Sequence, residues 1–157
     1  ADAYSASPAD RSLEKGGNGS TFDSIVKKYR NTCLAFILLA EKAIRKKNLS
    51  KAYEMIVKAE QLDPSPAEMR NIGSMYHSLG YYEKALDQYL EAKKLGYDEE
   101  GVLYAAIADC YISLSDANQA KKYIELAMQY DPNDDYVKEI WHDYQKKFGN
   151  GKNLKSL

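Results

Sequence analysis

The residues most suited to bond-making chemistry near neutral pH are few, two histidines and two cysteines: His77, His142, Cys33 and Cys110. A nucleophilic site needs a thiol or hydroxyl held beside a base, and a metal site needs several ligands at short fixed spacing. Neither pattern is present. The histidines fall in different predicted elements, without an H-E-x-x-H or C-x-x-C frame, and neither cysteine has a histidine near it in sequence. Gly149-Asn150-Gly151-Lys152 lacks the leading glycine and the Ser or Thr of a phosphate loop, and Lys155-Ser156-Leu157 has the wrong order for a peroxisomal address. The inventory predicts no catalytic residue, no metal ligand and no cofactor, so not an enzyme. It points to recognition instead, because Arg70, Asn71 and His77 share one face at helical spacing.

Composition narrows what could be recognised. A chain of 157 residues with a formal charge of -1 is large enough for one continuous core and lacks the basic excess of a nucleic-acid binder. Fourteen Tyr against three Phe and one Trp suggests amphipathic rings at helix contacts, with hydroxyls reaching water. The longest apolar run, Cys33 to Ala40, is far short of the roughly 20 residues a membrane span requires. Lys27, Lys28 and Arg30 before it give a superficial likeness to a signal peptide, but it continues into the charged Glu41-Lys42-Ala43-Ile44-Arg45. The expectation is a soluble protein, cytoplasmic or periplasmic, without membrane insertion.

The elements that must position these residues are repeated. Ala52, Ala85 and Ala120 form one column of small residues; Ala59, Ala92 and Ala127 form a second, seven positions later. Ala40, Gly73 and Ala108 form a third, twelve positions before the first. A period near 34 residues marks an array of helical hairpins. Small side chains at the crossing let two antiparallel helices approach closely, so Gly73, for example, should face Ala85 and Ala92. The two cysteines then lie in separate repeats, too far apart for a disulfide, and should be free thiols.

Element boundaries follow from the same pattern. Residues 1–20, rich in Ala, Ser, Asp and Gly, read as a disordered tail or linker. Ser20 offers an N-cap, with Asp23 three residues on, for an N-terminal helix over 21–32. The apolar spacing from Phe22 to Ile44 fits one long helix or two helices broken near Asn31-Thr32. Three hairpins follow over 33–65, 66–100 and 101–134, punctuated by Asp63-Pro64, Gly80, Gly96 and Asp131-Pro132. Tyr136, Val137, Ile140, Trp141, Tyr144 and Phe148 predict a capping helix over 135–148, since the last hairpin would otherwise leave an apolar face in water. A basic tail over 149–157 ends the chain.

These residues resemble the tetratricopeptide repeat, a 34-residue helix-turn-helix with W-x2-L-G-x2-Y in its first helix and A, F, A and P beyond. The second hairpin matches best, with Met69, Ile72-Gly73, Tyr76, Gly80, Ala85, Tyr89 and Ala92. The third reads Tyr104, Ile107-Ala108, Tyr111, Ala120, Ile124, Ala127 and Pro132, and the first Phe36, Leu39-Ala40, Ala52, Ile56, Ala59 and Pro64. No repeat has the Trp, Ala43 replaces the usual Tyr, and Tyr97 replaces a Pro. The resemblance implies an all-α, right-handed superhelix of three such hairpins with an N-terminal helix and a C-terminal capping helix.

It also implies a ligand face. Carried over by register, the family's concave-groove positions are Leu34, Ile37, Leu38, Glu41 and Ile44 in the first hairpin. The second supplies Arg70, Asn71, Ser74, His77 and Ser78, and the third Val102, Ala105, Ala106, Asp109 and Ile112. Such a groove suits an extended or helical peptide with one or two apolar anchors. The Lys/Asn/Arg clamp that grips acidic chaperone tails is not matched: Ile37, Glu41, Val102 and Ala106 stand at its positions and only Asn71 fits. A narrower resemblance is to the three-repeat bacterial chaperones of type III secretion, through Tyr89-Leu90-Glu91-Ala92-Lys93-Lys94-Leu95-Gly96 and Ala108-Asp109-Cys110-Tyr111. The function implied is a protein- or peptide-binding adaptor, scaffold or chaperone.

Charge supports an alternative. Residues 21–58 hold nine basic side chains against Asp23, Glu41 and Glu54, while residues 98–139 hold ten acidic ones against Lys121, Lys122 and Lys138. Opposite ends of this kind would favour a self-associating module, a homo-oligomer built head to tail.

Overall fold

A computed structural model of the chain describes residues 20–149; the predicted tails, except for Ser20 and Gly149, lie outside the described residues. The described residues form eight α-helices: α1 (Ser20–Lys28), α2 (Cys33–Arg45), α3 (Leu49–Glu60), α4 (Pro66–Ser78), α5 (Tyr82–Lys94), α6 (Glu100–Ser113), α7 (Ala117–Tyr130) and α8 (Asp135–Phe148). No helix among them is long and apolar enough to cross a membrane. Helices α2–α3, α4–α5 and α6–α7 pack as three hairpins. Each hairpin's second helix also packs on the first helix of the next. The first helices touch one another in a row, α2 to α4 to α6 to α8, whereas contact between successive second helices is slight. The first helices therefore lie on the inside of the curve.

The N-terminal helix is shorter than the predicted 21–32. Ser20 is its first helical residue rather than a cap, and it stops at Lys28, because Asn31 takes a left-handed conformation (φ 62°) and Thr32 caps the next helix by accepting from the Ala35 N–H. Of the two alternatives the sequence left open, the broken pair is the one formed.

The turns inside the hairpins repeat in conformation even where the residue changes. Lys47, Gly80 and Ser115 occupy the same register, and all have positive φ (58°, 84° and 60°). In each case the next N–H closes onto a carbonyl five residues back, Asn48 to Ala43, Tyr81 to Tyr76 and Asp116 to Tyr111. This pattern satisfies carbonyls that a helix end would otherwise leave orphaned.

All nine residues of the small columns are buried. Gly73 is required for a concrete reason: a Cβ there would sit 2.6 Å from the ring of Tyr89. The neighbour that demands the glycine is thus the aromatic ring between Ala85 and Ala92. Ile37, Ile56, Ile72, Met75, Tyr76, Leu103, Ile107, Ile124 and Val137 fill the spaces between hairpins, so one core runs from α2 to α8. Burying one such side chain is worth about 1.5–3 kcal/mol.

Candidate functional site: the inner face of the first helices

Helix α4 holds the centre of the inner face. Its start is fixed by a reciprocal capping box, in which the Glu68 N–H donates to Ser65 Oγ (3.3 Å) and the Ser65 N–H donates to Glu68 Oε2 (2.8 Å), with Pro66 opening the first turn. Ile72, Met75 and Tyr76 then turn into the core, which leaves Arg70, Asn71, Ser74 and His77 half-buried along the other side.

His77 is not solitary. Its Nε2 lies 3.1 Å from Asp109 Oδ2 on α6, and its ring stands edge-on to Tyr82 with centroids 5.0 Å apart. The contact lacks hydrogen-bond alignment, so Nε2 is buried without a hydrogen-bond partner, and the two side chains form an ion pair only when His77 is protonated. Burial pushes the Asp109 carboxyl above the usual carboxylate range; His77 opposes that shift, and the nearby Asp143 and Glu139 of α8 add to it. Beneath the row, burial raises the Tyr89 hydroxyl above its usual range, with Arg70 and Ser74 opposing. Tyr136, at the start of α8, is raised in the same way by burial and then by Asp109.

Three helices of the inner row thus bring together Arg70, Ser74, His77, Asp109, Tyr136 and the carboxylates Glu139 and Asp143. The arrangement offers donors and acceptors of both charges for recognition. It holds no activated nucleophile: burial, then Glu68, pushes the Cys33 thiol up to about 12, and burial raises Cys110 as well. Both cysteines are free and buried. No group of three His, Cys, Asp or Glu among the described residues could hold a metal ion.

The remaining expected groove residues divide. Leu34 is 44% exposed, Leu38, Glu41, Ile44 and Val102 are partly exposed, and Ser78 is exposed. Ile37, Ala105, Ala106 and Ile112, expected along an open groove, are instead buried in the core. The reason differs at the two ends. Ile37 packs within the core shared by α2 and its neighbours, while α6, which carries Ala105, Ala106 and Ile112, is packed on α5, α7 and α8. Lys147 of α8 even donates to the Ile112 carbonyl. Conversely, the register reading missed Tyr136, Glu139 and Asp143. Extending the 34-residue period once more would have found them, because they stand one period after Val102, Ala105 and Asp109.

Residues 71–95 and 102–134 match the family model of the tetratricopeptide repeat, and these stretches are the greater part of the second and third hairpins. Comparison with curated proteins gives no match. The family match and the stacked hairpins agree: the second and third hairpins are tetratricopeptide repeats, and the all-helical array fits a tetratricopeptide repeat protein, a fold whose usual role is to hold protein partners rather than to catalyse.

Proposed function

We propose that this tetratricopeptide repeat protein is an adaptor or chaperone that holds a segment of a partner protein along the row α2–α4–α6–α8. The observation that carries the reading is the polar line Arg70, Asn71, Ser74 and His77. It stays half-open on the inner face while the opposite side of α4 is buried. Leu34 and Leu38 at one end of the row offer apolar contact, and Asp109, Glu139 and Asp143 at the other offer carboxylates. A segment with an apolar anchor at one end and a basic residue at the other complements both. The narrower resemblance to secretion chaperones is supported by plan, an N-terminal helix, three hairpins and a closing helix, and it concerns the partner's identity rather than the site.

The test is site-specific photocrosslinking in an extract of the source organism. A crosslinker at Asn71 should capture one defined partner, and capture should fall at least tenfold in an Arg70→Ala/His77→Ala background, the loss expected when two central contacts of about 1 kcal/mol or more are removed. A crosslinker at Glu125 on α7 should not capture it. Equal capture from both positions would reject the inner face as the binding surface.

A further inference from the structure

We propose that the chain also associates head to tail with a second copy of itself, through two turn edges of opposite charge. The first edge is a cleft where hairpins one and two turn. Leu49, Ser50, Tyr53, Leu79 and Tyr81 line it, with Leu49 58% and Tyr81 45% exposed. Its wall is aromatic: the Tyr53 ring lies 4.9 Å from Tyr81 and 6.2 Å from Tyr76. Its rim is basic. Lys46 and Lys47 are exposed in the turn that leads into Leu49, and Lys84 Nζ stands 6.0 Å from the Tyr53 ring and 5.6 Å from Tyr76. Lys51, beside Ser50, is already met by Glu54 at 3.7 Å.

The second edge lies at the other end of the array, on the connections that join hairpin two to three and hairpin three to α8. Tyr130, 58% exposed, stands there in a cleft with Asp98, Glu99, Glu100, Asp131 and Asp134. An exposed ring flanked by carboxylates is the shape and charge that a lysine-rimmed aromatic cleft accepts. The ring would enter against Tyr53 and Tyr81 while the carboxylates meet the lysines. A second copy is the favoured occupant because the chain carries both halves. The excess is nine basic against three acidic residues over 21–58 and ten acidic against three basic over 98–139, yet the net charge of -1 leaves copies without long-range repulsion.

The two edges are different surfaces, so the contact is not self-complementary. Each added copy leaves one cleft and one edge unfilled, and the product is an open chain rather than a closed dimer. The basic cleft lies outside the inner row, whereas the acidic edge adjoins it at Val102, so salt dependence and the charge swaps, rather than partner capture, decide this inference.

Sedimentation of the full chain tests it. The average mass should rise with concentration at about 20 mM salt and return towards 17.8 kDa at about 0.5 M, where screening is complete within a few ångström. Lys46→Glu/Lys47→Glu and Asp98→Lys/Glu99→Lys should each stay monomeric alone. Mixed in equal amounts they should associate one to one, because the second variant keeps the basic cleft and the first keeps the acidic edge. Circular dichroism melts establish that both are folded. Tyr130→Ser, a single exposed change, should weaken wild-type association about tenfold, as expected for one central aromatic anchor. A wild-type chain that stays at 17.8 kDa at the highest attainable concentration in low salt would overturn the proposal and leave the cleft to an acidic, aromatic segment of another protein. So would association that survives either charge swap, or a mixture of the two variants that stays monomeric.

Discussion

The two terminal helices are attached to the array in different ways. Helix α1 leans chiefly on α2, with Phe22, Ile25 and Val26 half-buried and none of its described residues fully buried. Lys42 reaches it, 3.7 Å from Asp23 and 4.4 Å from the centroid of Phe22, and this ion pair is largely exposed and worth about 0–1 kcal/mol. Helix α8 packs on both α6 and α7, buries Val137 and Ile140, and runs Trp141, Tyr144 and Phe148 as successive ring contacts of 6.1 and 5.5 Å. A helix that follows a hairpin finds a groove between two helices, while one that precedes it finds a single helix. Helix α8 thus stands in the position of a fourth first helix, and α1 is an attachment.

Removing residues 135–157 should have the largest effect. It uncovers the buried faces of α6 and α7, and the expected product melts without a cooperative transition and aggregates as concentration rises. Light scattering and a thermal circular dichroism scan would show it. A truncated chain that stayed monomeric and melted like the parent would remove the distinction between the two ends.

Next in size is Ile140→Ala. The side chain is 3% exposed within the core, so the substitution should cost about 2–5 kcal/mol in chemical denaturation. The matched change Ile25→Ala, at a half-buried position, should cost about 1 kcal/mol or less. Equal losses would mean that α1 is as deeply integrated as α8.

Deleting α1 altogether should shift the melting temperature by only a few degrees. Its three apolar contacts, Phe22, Ile25 and Val26, are all only half-buried, and the gain from them is opposed by the conformational entropy lost in ordering the helix. A loss of cooperativity on deleting 20–28 would show that the segment nucleates the first hairpin.

What the sequence disclosed tracks this physics. Small residues at a helix crossing admit few substitutes, so Ala40, Gly73 and Ala108 and the two alanine columns revealed the repeat directly. Equivalent left-handed turns were less visible, since Lys47 and Ser115 adopt the conformation that Gly80 announces. Register assigns a residue to a side of its own helix but does not say what covers that side. Ala105, Ala106 and Ile112 therefore read as open groove, although they are buried on a helix packed against α5, α7 and α8. The broken connection before α2 was equally ambiguous, because the apolar spacing through Phe22 to Ile44 suits one helix or two and only Asn31 and Thr32 decide it.

The smallest expected effect concerns the electrostatic cost that accompanies a well-packed C-terminal end. Asp109 is pushed towards its protonated form first by burial, then by Asp143 and Glu139 of α8, against the pull of His77. A carboxyl whose folded pKa lies above its unfolded value contributes stability below the unfolded pKa, and that contribution is lost as pH rises through the folded pKa. Asn cannot ionise. Asp109→Asn should therefore match the wild type near pH 3, where both side chains are neutral, and become the more stable of the two as pH rises to 7.5. Paired urea denaturations at the two pH values would measure it, and Asp143→Asn should reduce the difference by removing one of the repelling carboxylates. If Asp109→Asn were instead the less stable at pH 7.5, the attraction of His77 would outweigh burial. The pair would then be a strut between α4 and α6 rather than a strained polar spot left open on the inner face.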